Sequence, residues 1–572
     1  MKRGVLSAVA ALVIVGGSAL AIWRYAADRT PSAAGVATSR PGPSVAAVTT
    51  SSATAAPLRR PADVAPVAEA EAGEAFVVEL MDPPETMYAA RAASAQDKAY
   101  SKVVEALGRA SLTYDPALGR AARELALQQS LLGGLVPSDI VEFILRASGA
   151  VDRTVEQGYV AMSAKDDAAL SRQIEKLLAQ TDASEPVRIG VGEAWIVGAN
   201  PDRVAGVLLG RGAVRVDAVA RRVDPGETWT LSGSLPRGHR SPTALVMRAD
   251  GELVDAPVRL DGDRFQVDVV MGPGAGTWEV SVGAEGPFGH TPLVQLPVEV
   301  GRPLPESYTT SIPPDESRVR TVAEAERLAF ELLNRDRARF GLRALEQDAA
   351  LTAIGRAHSE DMRDGKFFGH VSPRTGGPGD RLSAGRYRAL TYAENVALHG
   401  AIHQAESALL ASLGHRKNIL HPKVTHVGVG VAITEQSGRR SFHVTQLFAS
   451  PVVDVSPAAV SAAVLGRMNA RRAELGLAAF GGDARIDRIA RSHAEVAARG
   501  GPLEGLSKEV LADLEREGLS KGGARVWALR TGDVADLIPA AVLVEGAYSR
   551  AAVGVAQDAA GAVFVVVIAA GG

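Results

Sequence analysis

The chain repeats part of its own sequence. The segment NRDRARFGLRALEQDAALTAIGRAHSEDM, from Asn334, aligns without a gap with NARRAELGLAAFGGDARIDRIARSHAEVA, from Asn469. A fainter copy, EALGRASLTYDPALGRAARELA, lies upstream around Gly108. Self-similarity of this kind indicates one supersecondary unit used several times, so we expect three related modules.

The repeated segment predicts two helices with defined ends. Thr321 and Glu324 form a capping-box pattern before the first helix, and Gly341 follows its end. Asp348 is an N-cap for the second helix, on whose apolar face His358 falls at helical spacing. We therefore interpret His358 as a packing residue in preference to a ligand or a catalyst.

Composition excludes several classes of protein. The 62 Lys and Arg residues nearly balance the 65 Asp and Glu residues, whereas a dedicated nucleic-acid binder carries a basic footprint. The chain has no cysteine, which rules out disulfides and thiolate-bound metal. Its 572 residues also suggest about three or four domains, at about 150 residues each.

The N-terminus predicts export. Lys2 and Arg3 precede an uncharged run that reaches Trp23, which is long enough to cross a bilayer. We expect residues 1–28 to form a transmembrane helix that anchors an extracytoplasmic protein to the membrane. A signal peptide cleaved near Ala19, giving a secreted or periplasmic protein, is the alternative. The Ala/Pro/Ser/Thr-rich residues 29–75 predict a disordered tether.

Residues 216–301 have a different pattern, with short alternating runs such as DRFQVDVVM and GTWEVSVGAEG separated by Gly, Pro and Asp. This predicts an antiparallel β-sandwich of immunoglobulin-like size. We interpret its two histidines, His239 and His290, as solvated. A Pro-rich linker, residues 302–319, follows.

Histidine concentrates in the segment after this linker. Eight of the eleven histidines lie between His358 and His443, which calls for an explanation at the level of a site.

Several motifs occur here in a fixed order: AFELLNRDRARFGL, AHSEDM, FFGHVSP, YAENVA, GHRKNIL, HVGVGVA and VTQLFA. Together they resemble the bacterial branch of the CAP superfamily (cysteine-rich secretory proteins, antigen 5 and pathogenesis-related 1), also called SCP domains. The resemblance covers residues 320–452. It implies an α-β-α sandwich, and the repeat extends it to degenerate CAP-like modules at 76–215 and 453–572. The expected fold class is therefore α+β.

The resemblance also implies a cleft lined by two histidines and acidic residues. Matched motif by motif, these fall on His370, Glu394 and His415. Ser412 stands where many relatives have a second glutamate, and Leu409 where they have tryptophan. Four further residues are expected to support the cleft: Asn395, Arg416, Asn418 and Gln446.

Two imidazoles and a carboxylate allow several chemistries. His370 and His415, with Glu394, could hold a divalent metal such as zinc. They could act as an acid/base pair, or form a binding cleft without turnover. A buried network without any ligand is the remaining alternative.

The repeats provide an internal comparison. Gap-free extension of the third module places Gly505 where the second has His370, and no histidine follows His493. The packing positions thus persist while the cleft residues do not, as expected if those residues serve a site.

We therefore expect a binding or interaction protein that is not an enzyme. Its ligand would be a small molecule, lipid, glycan or peptide, and neither nucleic acid nor another specific partner is indicated. A hydrolase using metal or His/Glu catalysis, and a structural envelope or adhesion scaffold, are the alternatives.

Overall fold

The computed structural model describes most of the chain after the N-terminal region. The described residues are 75–571 except 91–92, 110, 133–135, 154, 163–166, 179–186, 196–202, 211–213, 312–315, 317, 437–438, 532–545 and 560. The expected anchor and almost all of the expected tether lie outside them. Within the described part of the chain, no helix is long and apolar enough to cross a membrane. The structure is mixed α+β, with several separate small sheets.

The chain divides into two compact units. The first comprises residues up to 381 together with 394–422 and 427–447, and the second comprises 382–393, 423–426 and 448–572.

The first part of the first unit packs helices on a small sheet. The sheet has the order β3-β5-β6-β4, in which β5 runs parallel to β3 and antiparallel to β6. Helix α2 packs on it through Leu118, Leu125 and other fully buried side chains. The elements are β1 (Ala75–Glu79), β2 (Met87–Tyr88), α1 (Ala95–Glu105), β3 (Leu112–Tyr114), α2 (Pro116–Leu132), α3 (Ser138–Ala147), β4 (Val155–Met162), α4 (Asp167–Leu178), β5 (Val187–Trp195) and β6 (Arg203–Gly210).

Two further sheets share one core. Their orders are β13-β14-β10-β7 and β12-β11-β15-β16-β9, and Trp229 and Phe265 of the first pack with Val280 and Leu296 of the second. The alternating burial along β10 and β14 gives each strand one apolar face toward this core. The elements are β7 (Arg215–Val216), β8 (Val219–Ala220), β9 (Arg222–Val223), β10 (Thr228–Ser234), β11 (Arg240–Met247), β12 (Leu253–Ala256), β13 (Val258–Asp261), β14 (Arg264–Val270), β15 (Gly276–Gly286), β16 (Gly289–Val300) and β17 (Ser307–Ser311).

The central segment surrounds a four-stranded sheet, β18-β20-β21-β19, with helices. The predicted capping box is confirmed, because Thr321 accepts from the Glu324 amide and the Glu324 side chain accepts from the Thr321 amide. Asp348 caps the second helix as predicted, and Gly341 has a φ of 69°. The elements are α5 (Val322–Arg339), β18 (Glu346–Gln347), α6 (Ala349–Gly365), α7 (Pro378–Ala384), β19 (Ala389–His399), α8 (Ile402–Ala411), α9 (Leu413–Ile419), β20 (His426–Gln436) and β21 (Arg439–Pro451).

The second unit contains most of the last copy of the repeat. Its three-stranded sheet has the order β22-β24-β23, and both faces of β24 are buried. The remaining elements are α10 (Pro457–Glu474), α11 (Ala484–Ala498), α12 (Leu506–Arg516), β22 (Ala524–Thr531), β23 (Arg550–Gln557) and β24 (Val563–Ala570).

The two aligned copies have the same local structure between their helices. The Asn334 side chain accepts from the Leu345 amide at 2.8 Å, and Asn469 accepts from the Phe480 amide at 2.9 Å. Gly476 also matches Gly341 in conformation, with a φ of 70°. The sequence repeat is therefore a repeat of hydrogen bonds and backbone conformation as well as of apolar positions.

Candidate ligand-binding cleft

Three parts of the chain bring the predicted cleft residues together. His370 lies in the loop after α6, and Glu394 and Asn395 lie on β19. His415 is on the short helix α9. Residues separated by 45 positions in sequence thus face one cavity.

Glu394 is the centre of this cluster. It is buried, and its Oε2 accepts from Arg381 Nη2 at 2.6 Å. Its Oε1 lies 3.0 Å from His370 Nδ1 and 3.9 Å from His358 Nε2. Burial alone would raise the pKa of Glu394, but the His370 hydrogen bond and the Arg381 charge outweigh it and hold that pKa below its usual value. Glu394 is therefore an ionised carboxylate with both oxygens engaged.

His358 supports the loop that carries His370. Its Nε2 lies 3.0 Å from the carbonyl oxygen of Gly369, which can only accept, so Nε2 carries the proton. Burial lowers the pKa of His358, and its ring packs against Phe367 with 6.0 Å between centroids. This agrees with the interpretation of His358 as a packing residue, although it also lies next to the cluster.

His415 is a neutral imidazole. Burial, with smaller contributions from His370, Arg153 and His290, lowers its pKa to about 3. Its ring centroid lies 6.4 Å from that of His370. At neutral pH, His415 can therefore donate one hydrogen bond and accept one.

A chain of buried amides positions His415. Asn395 Nδ2 donates to the His415 carbonyl oxygen at 3.2 Å and to Gln446 Oε1 at 3.0 Å. Asn418 donates to Asn395 Oδ1 at 2.9 Å, and Gln446 Nε2 donates to Glu406 Oε2 at 2.6 Å. Three of the four predicted supporting residues thus form one network. The predicted Asn395, Asn418 and Gln446 act on the backbone and on one another.

The fourth predicted supporting residue lies elsewhere. The Arg416 guanidinium packs over the ring of Phe340, 4.8 Å from its centroid. It is not among the residues that line the cavity. Arg416 therefore packs α9 against the end of α5.

The cavity has a volume of about 240 Å³ and two kinds of wall. The central segment supplies one side and strands β11, β15 and β16 supply the other. The lining residues are Thr243, Leu245, Ser281, Gly283, His290, Pro292, His370, Pro378, Glu394, Gly414, His415 and Asn418. His290, interpreted from the sequence as solvated, has a half-exposed side chain that also lines this cavity.

The side chains of His370, His415 and Glu394 do not fit the divalent-metal site that the sequence left open. Within the described residues, no three His, Asp or Glu side chains lie together in an arrangement that could hold a metal ion. Both oxygens of Glu394 are engaged, and His370 Nδ1 is bound to one of them. Binding at His370 and His415 alone would leave a metal with two protein ligands, fewer than the three of a catalytic zinc site.

Sequence reasoning missed Arg381 and Glu406. Arg381 lies on the short helix α7, directly after the Gly-rich stretch RTGGPGD, which has no periodic pattern, and it reaches Glu394 on β19. Glu406 is the buried acid at the end of the amide chain, and burial raises its pKa to about 8. Its position on the buried face of α8 was the one signal in the sequence that could have identified it.

Comparisons with known proteins converge on the central segment. Residues 330–448 match the family model "CAP: Cysteine-rich secretory protein family". Two relatives from Bacillus subtilis (strain 168) match over similar lengths. The "Uncharacterized protein YkwD" is 39% identical over 111 residues, which cover 19% of this chain and 43% of the relative. The "Uncharacterized membrane protein YlbC" is 36% identical over 118 residues, 20% of this chain and 34% of the relative. The chain thus spans less than half the length of either relative.

Among solved structures, an extracellular protein containing a SCP domain from Bacillus anthracis str. Ames is 21% identical, with a TM-score of 0.21. The match covers 39% of this chain and 81% of that one. A cysteine-rich secretory protein from Staphylococcus aureus subsp. aureus Mu50 is 10% identical, with a TM-score of 0.18, over 39% of this chain and 82% of that one. Taken with the ordered motifs, the family match shows that residues 330–448 of this chain are a CAP (SCP) domain.

Proposed function

We propose that this CAP-domain protein binds a small ligand in the cleft formed by His370, Glu394 and His415 and does not turn it over. The observation that best supports this proposal is that both oxygens of Glu394 already accept hydrogen bonds, one from His370 and one from Arg381. These contacts hold the pKa of Glu394 below its usual value, whereas an effective general base has a pKa near the working pH. The arrangement supports a fixed binding surface better than an acid/base pair.

The surrounding network supports the same proposal. The amides of Asn395, Gln446 and Asn418 fix the backbone at His415, as expected where ligand-binding side chains are held in one conformation. The described part of the third module has an imidazole, His493, paired with Asp513 instead. In our proposal the modules at 76–215 and 453–572 are degenerate CAP-like copies that serve as scaffold.

The proposal also includes where in the cell the protein is located. The relatives include one named a membrane protein and one described as extracellular. Together with the charge and apolar pattern of residues 1–28, this supports an extracytoplasmic protein tethered to the membrane.

A thermal-shift screen of the full chain against carboxylates, sugars, short peptides, fatty acids and divalent metals tests this proposal. We expect a ligand that stabilises the wild type and that loses its effect in His370→Ala and Glu394→Gln. The exposed Glu331→Gln serves as the matched control. A ligand effect that is equal in all four proteins would contradict a cleft site. Conversion of a bound compound that stops in Glu394→Gln would replace the binding proposal with a hydrolase.

A further inference from the structure

Strands β11, β15 and β16 supply polar side chains to one wall of the cavity. Its residues Thr243 and Ser281 present hydroxyl groups, and His290 presents an imidazole. Gly283 leaves room for that imidazole, since a Cβ at this position would collide with His290 Nε2. A larger residue at position 283 would therefore displace the His290 ring.

The two walls are held together by direct hydrogen bonds. Gln295 Nε2 donates to the Ala411 carbonyl oxygen at 2.8 Å, and Gln295 Oε1 accepts from the Leu413 amide at 3.1 Å. The Val371 amide donates to the Phe288 carbonyl oxygen at 3.0 Å, next to His370. The turn between β15 and β16 thus fixes the loop that carries one cleft histidine, and Gln295 fixes the start of the helix that carries the other.

The charges around the cavity favour an anion. Glu394 is the one carboxylate among the described residues that line the cavity, and Arg381 neutralises it at 2.6 Å. Glu285, whose Oε1 lies 3.5 Å from His290 Nδ1, is not one of the lining residues. The hydroxyls of Thr243 and Ser281 and the imidazoles of His290 and His415 can donate to a ligand. Asn418 Nδ2 is already bound to Asn395, and His370 Nδ1 to Glu394. Arg153 acts electrostatically on His415, and its Nη1 is buried with no hydrogen-bond partner among the described residues. Glu142 and Glu279 lie within electrostatic range of Arg153 but do not line the cavity.

From this geometry we infer that both walls of the cavity bind the ligand, with Thr243, Ser281 and His290 as determinants of specificity in this shared site. The ligand is a small molecule bearing an anionic oxygen group, a carboxylate or a phosphate. The inference rests on the proposed function. At about 240 Å³ the cavity is smaller than the roughly 300–1,000 Å³ typical of drug-sized ligands. A hydrogen bond to a charged group contributes about 1.5–3 kcal/mol, so each lost donor should matter.

Calorimetric titration of the full chain in mild detergent with acetate, and separately with inorganic phosphate, tests this inference. We expect one of the two anions to bind, and His290→Ala and Ser281→Ala each to weaken binding by about 10- to 100-fold. Thr243→Val should weaken it as well, whereas Thr230→Val, on the other sheet and hydrogen-bonded to Asp268, should not. The ratio of the acetate and phosphate affinities tells which anionic group the site prefers.

A double-mutant cycle separates a structural effect from a direct one. Gly283→Ala should weaken anion binding by moving the His290 ring, and should add nothing once His290 is alanine. Absence of binding by both anions would overturn the ligand class. Binding that requires His370 but is unchanged in the variants of Thr243, Ser281 and His290 would overturn the shared site and leave the proposed function standing. Binding that is indifferent to His370 as well would overturn both.

Discussion

At the scale of single residues, the pair of Arg381 and Glu394 should be worth more to stability than its exposed counterparts. Arg381 Nη2 lies 2.6 Å from Glu394 Oε2, and both residues are buried. Removing one partner of such a pair leaves a buried charge uncompensated, at a cost of about 3–5 kcal/mol. Arg381→Met should destabilise the CAP domain by about this much. The free energy of unfolding is measured in urea, with hydrogen exchange of α6 amides as the probe.

The double variant Arg381→Met with Glu394→Gln should recover part of that stability, because no charge is then left unpaired. Arg327→Met, whose ion pair with Glu331 is exposed, is the matched control and should cost less than about 1 kcal/mol. Equal losses in the two single variants would contradict a buried charge at Glu394.

Glu406 should give the domain a pH-dependent stability of unusual sign. Burial raises its pKa to about 8, so in the folded state it holds a proton that the unfolded chain releases near pH 4.5. Its contribution is complete below pH 4.5 and is lost as the pH rises toward 8. Glu406→Gln should flatten the decline in unfolding free energy across this window, and Glu331→Gln should keep the wild-type profile. An unchanged slope in Glu406→Gln would show that another group titrates.

The three candidate cleft residues could be predicted because motif positions place them, whereas their partners could not. Arg381 meets Glu394 because helix α7 lies beside β19, and His290 comes from a different set of strands. Neither relation has a period or a spacing in the sequence. That His370, Glu394 and His415 bind a ligand stays a prediction.

At the scale of elements, the ends of helices could be predicted from the sequence. The caps at Thr321 and Asp348 are local, since each depends on residues within three positions. The pairing of β1 with β17 joins Ala75 to Ser311, and no local pattern specifies a partner so distant in sequence. Local rules therefore predicted elements, while the pairing of remote strands required the structure.

The alternating Val/Gly runs predict where helices lie closest to strands. At Gly430 a Cβ would collide with the backbone of Gly355 and Arg356 in α6, and at Gly554 with that of Ala490 and Arg491 in α11. Since neither backbone can yield easily, Gly430→Ala and Gly554→Ala should each destabilise their own unit by about 1–3 kcal/mol or more.

Gly466 provides the control for this pair of glycines. It lies within α10 with open space around its Cβ position, so Gly466→Ala should stabilise by up to about 1 kcal/mol. Thermal unfolding of the three variants checks the order. A neutral Gly430→Ala would mean that the strand and helix separate at little cost.

At the scale of the whole molecule, the sheet β12-β11-β15-β16-β9 is more than a spacer before the CAP domain. The sequence predicted no chemistry for residues 216–301, because their alternating pattern is fully explained by a core. The structure uses the remaining face of β15 and β16 to complete a cavity. Which outward residues meet another segment depends on packing between modules, and alternation alone does not encode that.

Gln295 is the residue on which this contact should depend most. It is a buried amide in β16 that pairs with both the Ala411 carbonyl and the Leu413 amide. Gln295→Leu would keep the size and leave these two backbone groups unsatisfied, at about 1–3 kcal/mol each. It would also remove the hydrogen bond that Gln295 Nε2 donates to Glu279 Oε2 at 2.8 Å. Hydrogen exchange in a peptide spanning residues 411–419 should then accelerate by about tenfold or more.

Gln266→Leu, on β14, offers the matched control, since its side-chain amide donates to the nearby Asp268 at 2.9 Å. Protection of residues 411–419 should be unchanged in that variant. Because Gly414 and His415 follow directly after Leu413, Gln295→Leu should also weaken ligand binding without touching the cavity itself. If Gln295→Leu weakened ligand binding but left residues 411–419 fully protected from exchange, the weakening would have another cause. Loss of both protection and binding would show that the neighbouring sheet holds His415 in position.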